Sequence, residues 1–425
     1  MTVSTMPGAE AVRSAWRSPA LRAAVALGLS GVAFALANLL LARVLPKEEY
    51  GRFALALAIA TVGILTGPLG ANVIVNRQRV DPGWRLIRRT LGTSTLVAFI
   101  LAITAGALYP LDLPLLGVVI AVTIAGSCKL VAVGHYQSRQ RYGYSLLLSE
   151  STNLSLLIAA AGTAVIRFQT AIGPAALFAL CLVAFTAAGW RSVARDRPGL
   201  DYPDPPFPWG EAFSVVGVVS AGMVLMVLER LVIPRTLGLA ELATFSVLAT
   251  LAGSPFQMLN QGVGFALLPS LRAAPDAAAR RAVLRHETAV VVGACIVSAA
   301  AVWWLAPLVA RWFLAGRYEL PPSLILAAIV VGALKPLGSL AVGTVNAVGS
   351  STALVGLSVI AWLAVATGLA GAWVGVPWGL TGLIYGAGVG WLLRVLAGSW
   401  LAARCLRLAP AAGPAEGQIP VLAEE

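Results

Sequence analysis

The sequence predicts an all-α integral membrane protein with about 12 transmembrane helices in two six-helix lobes and both termini in the cytoplasm. Composition is the first reason: 59% of the residues are hydrophobic and 11% are charged, whereas soluble domains carry about 25% charged residues. The second is a series of apolar windows of roughly 20 residues, the length that crosses a bilayer as a helix. The third is a single proline-rich polar stretch, which divides these windows into two sets of six.

The first lobe is predicted over residues 21–190, after a cytoplasmic N-terminal segment at residues 1–20. Arg13 and Arg17 precede the first window, as in a signal peptide. That window is too long for the apolar core of a signal peptide and lacks a convincing A-x-A cleavage site, so we expect a retained helix. The six predicted spans of this lobe are 21–45, 51–75, 88–109, 114–136, 145–166 and 170–190.

The second lobe is predicted over residues 211–408, after a cytoplasmic linker at residues 191–210 with the sequence RSVARDRPGLDYPDPPFPWG. The proline-rich, polar composition of this linker predicts an extended segment. Residues 409–425 lack hydrophobic periodicity and are predicted to form a disordered cytoplasmic tail. The six predicted spans of this lobe are 211–236, 241–268, 287–313, 321–348, 352–375 and 377–403.

The distribution of basic residues predicts the orientation. Of the 30 Lys and Arg residues, 19 fall in loops and tails on the side of the termini and eight in the opposite loops, Arg230 among them. Cytoplasmic loops are enriched in Lys and Arg, so both termini are expected inside. The same distribution accounts for the net charge of +12 without a nucleic-acid partner.

Residue patterns typical of enzymes and metal proteins are sparse. The sequence has no Walker A, HExxH or DxD motif. Its cysteines are isolated from one another and from any pair of histidines, so neither a disulfide framework nor a metal site is expected. We therefore expect no enzymatic activity and no cofactor. The four cysteines are Cys128, Cys181, Cys295 and Cys405.

The two lobes contain related segments. LPKEEYGRFALALAIATVGILTGP aligns with LGLAELATFSVLATLAGSPFQMLN. In both, an acid precedes a phenylalanine by four residues: Glu49 precedes Phe53, and Glu241 precedes Phe245. Six spans per repeat predict lobes related by an axis along the membrane normal, with a substrate site between them.

Three cations interrupt predicted spans: Lys129, Lys335 and Arg394. A cation at bilayer depth costs roughly 3 kcal/mol or more, so it usually faces a cavity, a partner or an anionic cargo. Lys335 precedes Pro336, where a kinked helix would suit a gate; the alternative is that Lys335 satisfies the carbonyl freed by the proline. Lys129 is close enough to the cytoplasmic end to snorkel to the headgroups.

Small residues predict close packing of the last two spans. Glycines recur every four residues on both sides of a turn at Pro377, and such rows let helix backbones approach closely. These glycines are Gly371, Gly375, Gly379, Gly382, Gly386 and Gly390.

These segments resemble the polysaccharide and O-antigen flippases, the polysaccharide transporter branch of the MATE-like multidrug/oligosaccharidyl-lipid/polysaccharide exporter superfamily. LARVLPKEEYGRFALALAIA is similar to the junction between spans one and two of that family. MVLERLVIPRTLGLAELATFSVLATLAGSPFQMLNQGVGFALLPSL is similar to its spans seven and eight, and HYQSRQRYGYSLL to the segment entering span five. The resemblance covers the whole chain plan and implies a MATE-like fold in a bacterial cytoplasmic membrane.

The resemblance also implies a function. A polyprenyl-pyrophosphate-linked oligosaccharide would be moved from the cytoplasmic to the outer leaflet by alternating access. Its implied partners are this cargo, membrane lipids and polysaccharide polymerase or export machinery. Sugars and pyrophosphate cross hydrocarbon only in a polar environment, so a cavity lined by cations and amides is expected. Candidate substrate-binding residues are Lys335, Arg394, Lys129, Asn38, Asn72, Asn260 and Asn346.

Two acids are candidates for coupling transport to H⁺ or Na⁺, as carboxylates do in MATE-like antiporters. Glu229 is either such a carboxylate or half of a simple ion pair with Arg230 at the outer end of its span. Glu150, in SLLLSESTNLSLL, is either a second coupling carboxylate or a cap at the cytoplasmic interface.

Two other functions are open at this point. The first is a multidrug or lipid-intermediate exporter of the same fold. Drug exporters of this type handle cationic drugs, however, and Lys and Arg side chains at membrane depth repel such drugs. The second is a membrane-embedded polysaccharide polymerase or ligase. Such an enzyme needs acids or histidines on sizeable loops, and the predicted outward loops are about ten residues or fewer, with Asp112 the one acid in YPLDLP.

Overall fold

The computed structural model describes residues 19–78, 84–139, 141–195 and 209–408. Within these ranges the chain is helical and contains no β-strand. The first half has seven helices, of which α2 and α3 are separated by a short turn. They are α1 (Pro19–Val44), α2 (Lys47–Thr66), α3 (Ala71–Gln78), α4 (Trp84–Leu108), α5 (Leu113–Ser138), α6 (Tyr142–Ile166) and α7 (Ile172–Arg195).

The second half also has seven helices. A single π-helical turn, Ala249–Gly253, joins α9 to α10, and a 3-10 turn, Val376–Trp378, joins α13 to α14. The helices are α8 (Trp209–Thr236), α9 (Leu239–Leu248), α10 (Ser254–Ala273), α11 (Ala277–Trp312), α12 (Pro322–Val348), α13 (Ser351–Gly375) and α14 (Gly379–Leu408).

The chain is a multi-pass membrane protein. In its described part, nine helical stretches are long and apolar enough to cross a bilayer, and one of them, Thr352–Arg407, includes both α13 and α14. Each of the twelve predicted spans overlaps a described helix. The count of twelve, the sidedness of the termini and the lobe boundaries stay predictions, and most of the linker and the whole tail lie outside the described residues.

Helix packing separates the two halves of the chain. In the first half, α1 packs on α6, and α5 contacts α2, α3, α4, α6 and α7. In the second half, α12 packs on α10, α11 and α14, and α13 packs on α8 and α14. Contacts between the halves come mainly from α1, α2 and α3 on one side and α8, α9 and α10 on the other. A cavity on this seam is therefore lined by both halves.

The crossing of α2 and α9 brings the related segments of the two halves together. At Gly51 the backbones approach so closely that an added Cβ atom would lie 2.2 Å from the carbonyl oxygen of Leu239. Glu49, at the start of α2, accepts hydrogen bonds from the Arg52 guanidinium and from the Ala171 amide, both at 2.7 Å. Because the two backbones meet at Gly51 without space for a Cβ atom, the interface between the halves requires glycine at this position.

The glycine rows of the last two spans form the predicted contact. A Cβ atom at Gly386 would lie 2.0 Å from the carbonyl oxygen of Gly371, and one at Gly382 would lie 2.4 Å from that of Gly375. Real Cβ atoms do not approach backbone this closely, so α13 and α14 pack directly through their main chains.

Hydrogen bonds close the seam at the predicted outer end. Four side chains each donate across the seam to a backbone carbonyl of the other half; we call them the outer latch. The bonds run from Tyr109 to Leu231 at 2.7 Å, from Arg235 to Leu108 at 3.1 Å, from Arg317 to Arg43 at 2.6 Å and from Tyr318 to Ala42 at 3.1 Å.

Candidate functional site

A cavity of about 230 Å³ lies on the seam between the two halves. Its lining comes from α1, α2, α6 and α7 of the first half and from α8, α9, α10, α12 and α14 of the second. The charged groups in the lining are Glu229, Arg230 and Lys335, all from the second half. The cavity therefore carries one excess positive charge.

Lys335 reaches this cavity from the middle of α12. Its Nζ atom lies 5.5 Å from the ring centroid of Trp391 on α14, a cation–π contact that holds the ammonium at the wall. It also interacts electrostatically with Glu229 and Arg230 across the cavity. The helix continues through Pro336. Lys335 thus lies in the cavity lining, and its role in binding cargo stays a prediction.

Glu229 and Arg230 reach the same cavity from α8. Arg230 was counted with the outward loops in the sequence, but it lies inside a span that continues to Thr236. The two residues interact electrostatically. They make no direct ion pair, since the one ion pair in the described part of the chain joins Glu49 and Arg52. The ion-pair alternative is therefore wrong, because adjacent helical side chains point about 100° apart.

Glu229 is the one acid in the cavity lining of the described residues, and it is deeply buried. The side chain is only 2% exposed, and its Oε2 atom is buried without a hydrogen-bond partner. An unpaired buried carboxylate oxygen is costly, so Glu229 is less well satisfied than Glu150, which accepts two hydrogen bonds.

A polar cluster of the first half lies beside the cavity. Lys129 is 3% exposed, and its ammonium donates to the Thr152 hydroxyl and, at 3.1 Å, to the Ser149 carbonyl. Thr152 itself lines the cavity. Lys129 thus lies behind the cavity wall and points into α6, so the snorkelling alternative is wrong. The amine is buried between helices, with partners there.

Glu150 belongs to the same cluster. It accepts hydrogen bonds from the Ser30 hydroxyl of α1 and, at 3.1 Å, from the Asn153 amide, which lines the cavity. Glu150 also interacts electrostatically with Lys129. The carboxylate therefore joins α1 to α6, eight residues inside the helix, and is not an end cap.

Arg394 lies outside the residues that line the cavity. Its guanidinium carbon is 5.4 Å from the Trp391 centroid, so this ring is in contact with both Arg394 and Lys335. A Cβ atom at Gly222 would lie 3.1 Å from Arg394 Nη1. Arg394 thus lies on α14 against Gly222 of α8, and the Trp391 ring separates it from Lys335.

The four candidate asparagines also lie outside the cavity lining. Asn38 is buried and donates to the Phe34 carbonyl at 2.9 Å, and Asn260 accepts a hydrogen bond from Ser339. Asn72 is half-buried on α3, and Asn346 is exposed near the end of α12. The structure does not bring them together around one ligand.

Sequence reasoning missed the uncharged polar lining. Thr61, Asn153 and Gln257 line the cavity, but as single polar residues in apolar windows they carry no sequence signal. The π turn before α10 was also missed, although Ala249 and Gly253 of this turn line the cavity. The Gly-Ser-Pro run at 253–255 was the available signal, because proline removes a helical hydrogen bond, and π turns are frequent at functional sites.

Comparison with known proteins identifies the fold. No family model and no curated protein sequence matches this chain. Among solved structures, an inward-facing multidrug resistance MATE family transporter of the MOP superfamily matches with a TM-score of 0.65 and 14% identity, covering 89% of this chain and 94% of that chain. Lipid II flippase MurJ, in an inward closed conformation, matches with a TM-score of 0.66 and 11% identity, covering 89% and 87%.

A further MATE structure, in a bent conformation, matches with a TM-score of 0.60 and 15% identity, covering 95% of this chain and 98% of that chain. Identities this low establish the fold and nothing beyond it. The predicted MATE-like fold is confirmed.

Proposed function

We propose that this chain is a flippase that moves a polyprenyl-pyrophosphate-linked oligosaccharide from the cytoplasmic to the outer leaflet of a bacterial inner membrane. The observation that carries this proposal is the central cavity, where Arg230 and Lys335 outnumber the single acid Glu229. Cations at membrane depth are costly unless they meet negative charge. An anionic cargo supplies that charge, whereas a cationic drug adds to the repulsion.

The fold is suited to alternating access. Lipid II flippase MurJ shares it, and the cargo in its name is lipid II. The outer latch closes this chain at the predicted outer end, so the cavity would load from the other end. At about 230 Å³ the cavity is smaller than typical ligand sites, and loading an oligosaccharide requires the halves to separate. Its polyprenyl chain would stay in the bilayer.

The membrane potential favours this direction of transport. An anionic group that moves outward across an inside-negative membrane gains about 2.3 kcal/mol per charge per 100 mV. A buried carboxylate such as Glu229 could add coupling to H⁺ or Na⁺. Polysaccharide polymerase or export proteins would receive the flipped unit.

Reconstitution tests the proposal directly. The purified chain is placed in vesicles that carry a polyprenyl-pyrophosphate-linked oligosaccharide, and a membrane-impermeant glycosidase measures the fraction in the outer leaflet. We expect that fraction to exchange between leaflets only in vesicles that contain the protein. Equal exchange in protein-free vesicles and in vesicles with the protein would contradict the proposal.

A multidrug exporter is the second candidate. The MATE neighbours include a multidrug resistance transporter, and the cavity lining includes the apolar side chains of Phe34, Phe178, Met223 and Phe245. Uptake of a fluorescent lipophilic cation into the same vesicles, without any exchange of the lipid-linked oligosaccharide, would favour this function.

A further inference from the structure

A second, larger cavity is a groove of about 750 Å³ between α11, α12 and α14. It lies in the second half of the chain, where the N-terminal end of α11 meets the C-terminal ends of α12 and α14. The orientation predicted from the basic residues puts this end at the cytoplasmic surface.

The groove has a basic mouth. Arg281, Arg285 and Arg407 line it, all three side chains are exposed, and no acidic side chain is among the lining residues. The Nε atoms of Arg281 and Arg407 donate to carbonyls of their own helices, at 3.0 and 3.4 Å. Within the described residues none of the three has a carboxylate partner, because the one ion pair there is Glu49–Arg52.

The floor of the groove is apolar. Leu337, Leu340 and Ala341 of α12 form one side of this floor, and Val395 and Leu406 of α14 form the other side. Such a surface at the end of a bilayer-spanning helix suits a hydrocarbon chain, since a chain placed there stays out of water. The groove is therefore amphipathic, with a positive mouth above an apolar floor.

This groove is separate from the central cavity. Lys335 faces the cavity and Leu337 faces the groove, since residues two apart on a helix point about 200° apart. A ligand in the groove would therefore lie on the opposite side of α12 from the cargo.

We propose that this groove binds an anionic phospholipid of the surrounding bilayer, with its phosphate held by Arg281, Arg285 and Arg407 and one acyl chain along α12 and α14. Guanidinium groups bind phosphate oxygens in a bidentate geometry, and basic pockets between membrane helices select acidic headgroups. The excess of three positive charges without an acid explains why an anionic lipid, and not a zwitterionic one, is the occupant.

Native mass spectrometry of the full chain in detergent tests this proposal with phosphatidylglycerol and phosphatidylcholine as probes. We expect the wild type to retain phosphatidylglycerol preferentially. The triple variant Arg281→Gln, Arg285→Gln, Arg407→Gln should lose at least about tenfold of that retention, at a few-fold for each arginine. Arg404→Gln is the matched control, because Arg404 is on the same helix but lines a different groove, and it should bind as the wild type does.

Two further measurements separate a lipid site from a bare anion site. Ser399 is exposed and lines the groove, so Ser399→Trp fills the floor without removing charge and should also lower phosphatidylglycerol retention. Inorganic phosphate should compete weakly. Unchanged lipid retention in the triple variant, an equal loss in Arg404→Gln, or full displacement by inorganic phosphate would each overturn the proposal.

Discussion

Lys335 and Arg230 approach the cavity from different helices, α12 and α8, and together give it more positive than negative charge. The side chains around these two cations stabilise their positive charge only weakly. Trp391 makes a cation–π contact with Lys335, and such a contact is weaker than an ion pair with a desolvated anion. An anionic cargo would therefore bind where the protein's own charges are least satisfied.

Removing these charges should reduce transport of the lipid-linked oligosaccharide. We expect Lys335→Gln and Arg230→Gln each to lower the exchange rate in reconstituted vesicles by at least about tenfold, because each removes a charged contact of the kind that contributes roughly 1.5–3 kcal/mol. Lys335→Arg preserves the charge and should retain most of the activity. Wild-type exchange in both glutamine variants would show that the cargo does not depend on the cationic wall.

Glu229 should determine whether transport responds to an ion gradient. In Glu229→Gln the side chain can no longer exchange a proton or bind a cation, so we expect exchange to continue without any acceleration by an imposed H⁺ or Na⁺ gradient. The measurement is the exchange rate with and without each gradient. Glu150→Gln is the comparison, because Glu150 has hydrogen-bond donors in Ser30 and Asn153. If a gradient accelerates the Glu229 variant as it does the wild type, then Glu229 is not the coupling group.

At the scale of elements, the hairpin of α13 and α14 depends on the absence of side chains. Gly386 faces the Gly371 carbonyl at a distance that leaves no space for a Cβ atom. The helix that carries Trp391 and Arg394 is therefore positioned by glycine packing about one to two turns away.

Gly386→Val should separate these two helices. Forcing a branched side chain against backbone costs typically 1–3 kcal/mol, so we expect a lower midpoint of thermal unfolding in detergent. Gly293→Val is the matched control, since Gly293 is also within a helix, is exposed, and has no atom near its Cβ position. The same loss in both variants would indicate a β-branching effect on helix propensity and not a packing effect.

At the scale of the whole molecule, the outer latch holds one end of the seam closed. Lys47 and Arg43 of the first half add cation–π contacts to Tyr318 and Phe313 of the second half, at 5.2 and 5.4 Å. Burial raises the pKa of Tyr318 to about 12 and also raises the pKa of Tyr109. A raised phenol pKa keeps the donor proton through the neutral range, so these two bonds would be lost only as the pH rises towards the raised pKa.

Loosening the latch should shift the molecule towards an outward-open state. We expect the double variant Tyr109→Phe, Tyr318→Phe to favour opening by roughly tenfold, because each lost hydrogen bond contributes about 0.5–1.5 kcal/mol. Electron–electron distance measurements between spin labels across the outer end would detect the longer distances. Tyr385→Phe, at an exposed position on α14, is the control. An unchanged distance distribution in the double variant would mean that other contacts hold the seam closed.

The sequence by itself determined that the fold is all-helical and spans a membrane, the approximate positions of the long apolar helices and the close packing of the last two helices. These properties depend on local quantities: the length of apolar windows, the position of polar breaks and the spacing of glycines. The prediction that Lys335 faces a cavity also came from one local fact, the cost of an isolated charge in hydrocarbon.

Only the tertiary structure decided which polar residues share a site. In the sequence, Arg230 was counted with a loop. Arg394 was predicted to bind the cargo in the cavity together with Lys335. Lys129 was predicted either to bind the cargo or to extend to the lipid headgroups. The structure puts Arg230 into the cavity lining and the other two outside it. Which face a side chain presents, and what lies across from it, depends on how helices distant in sequence pack, and hydrophobicity along one helix contains no information about that packing.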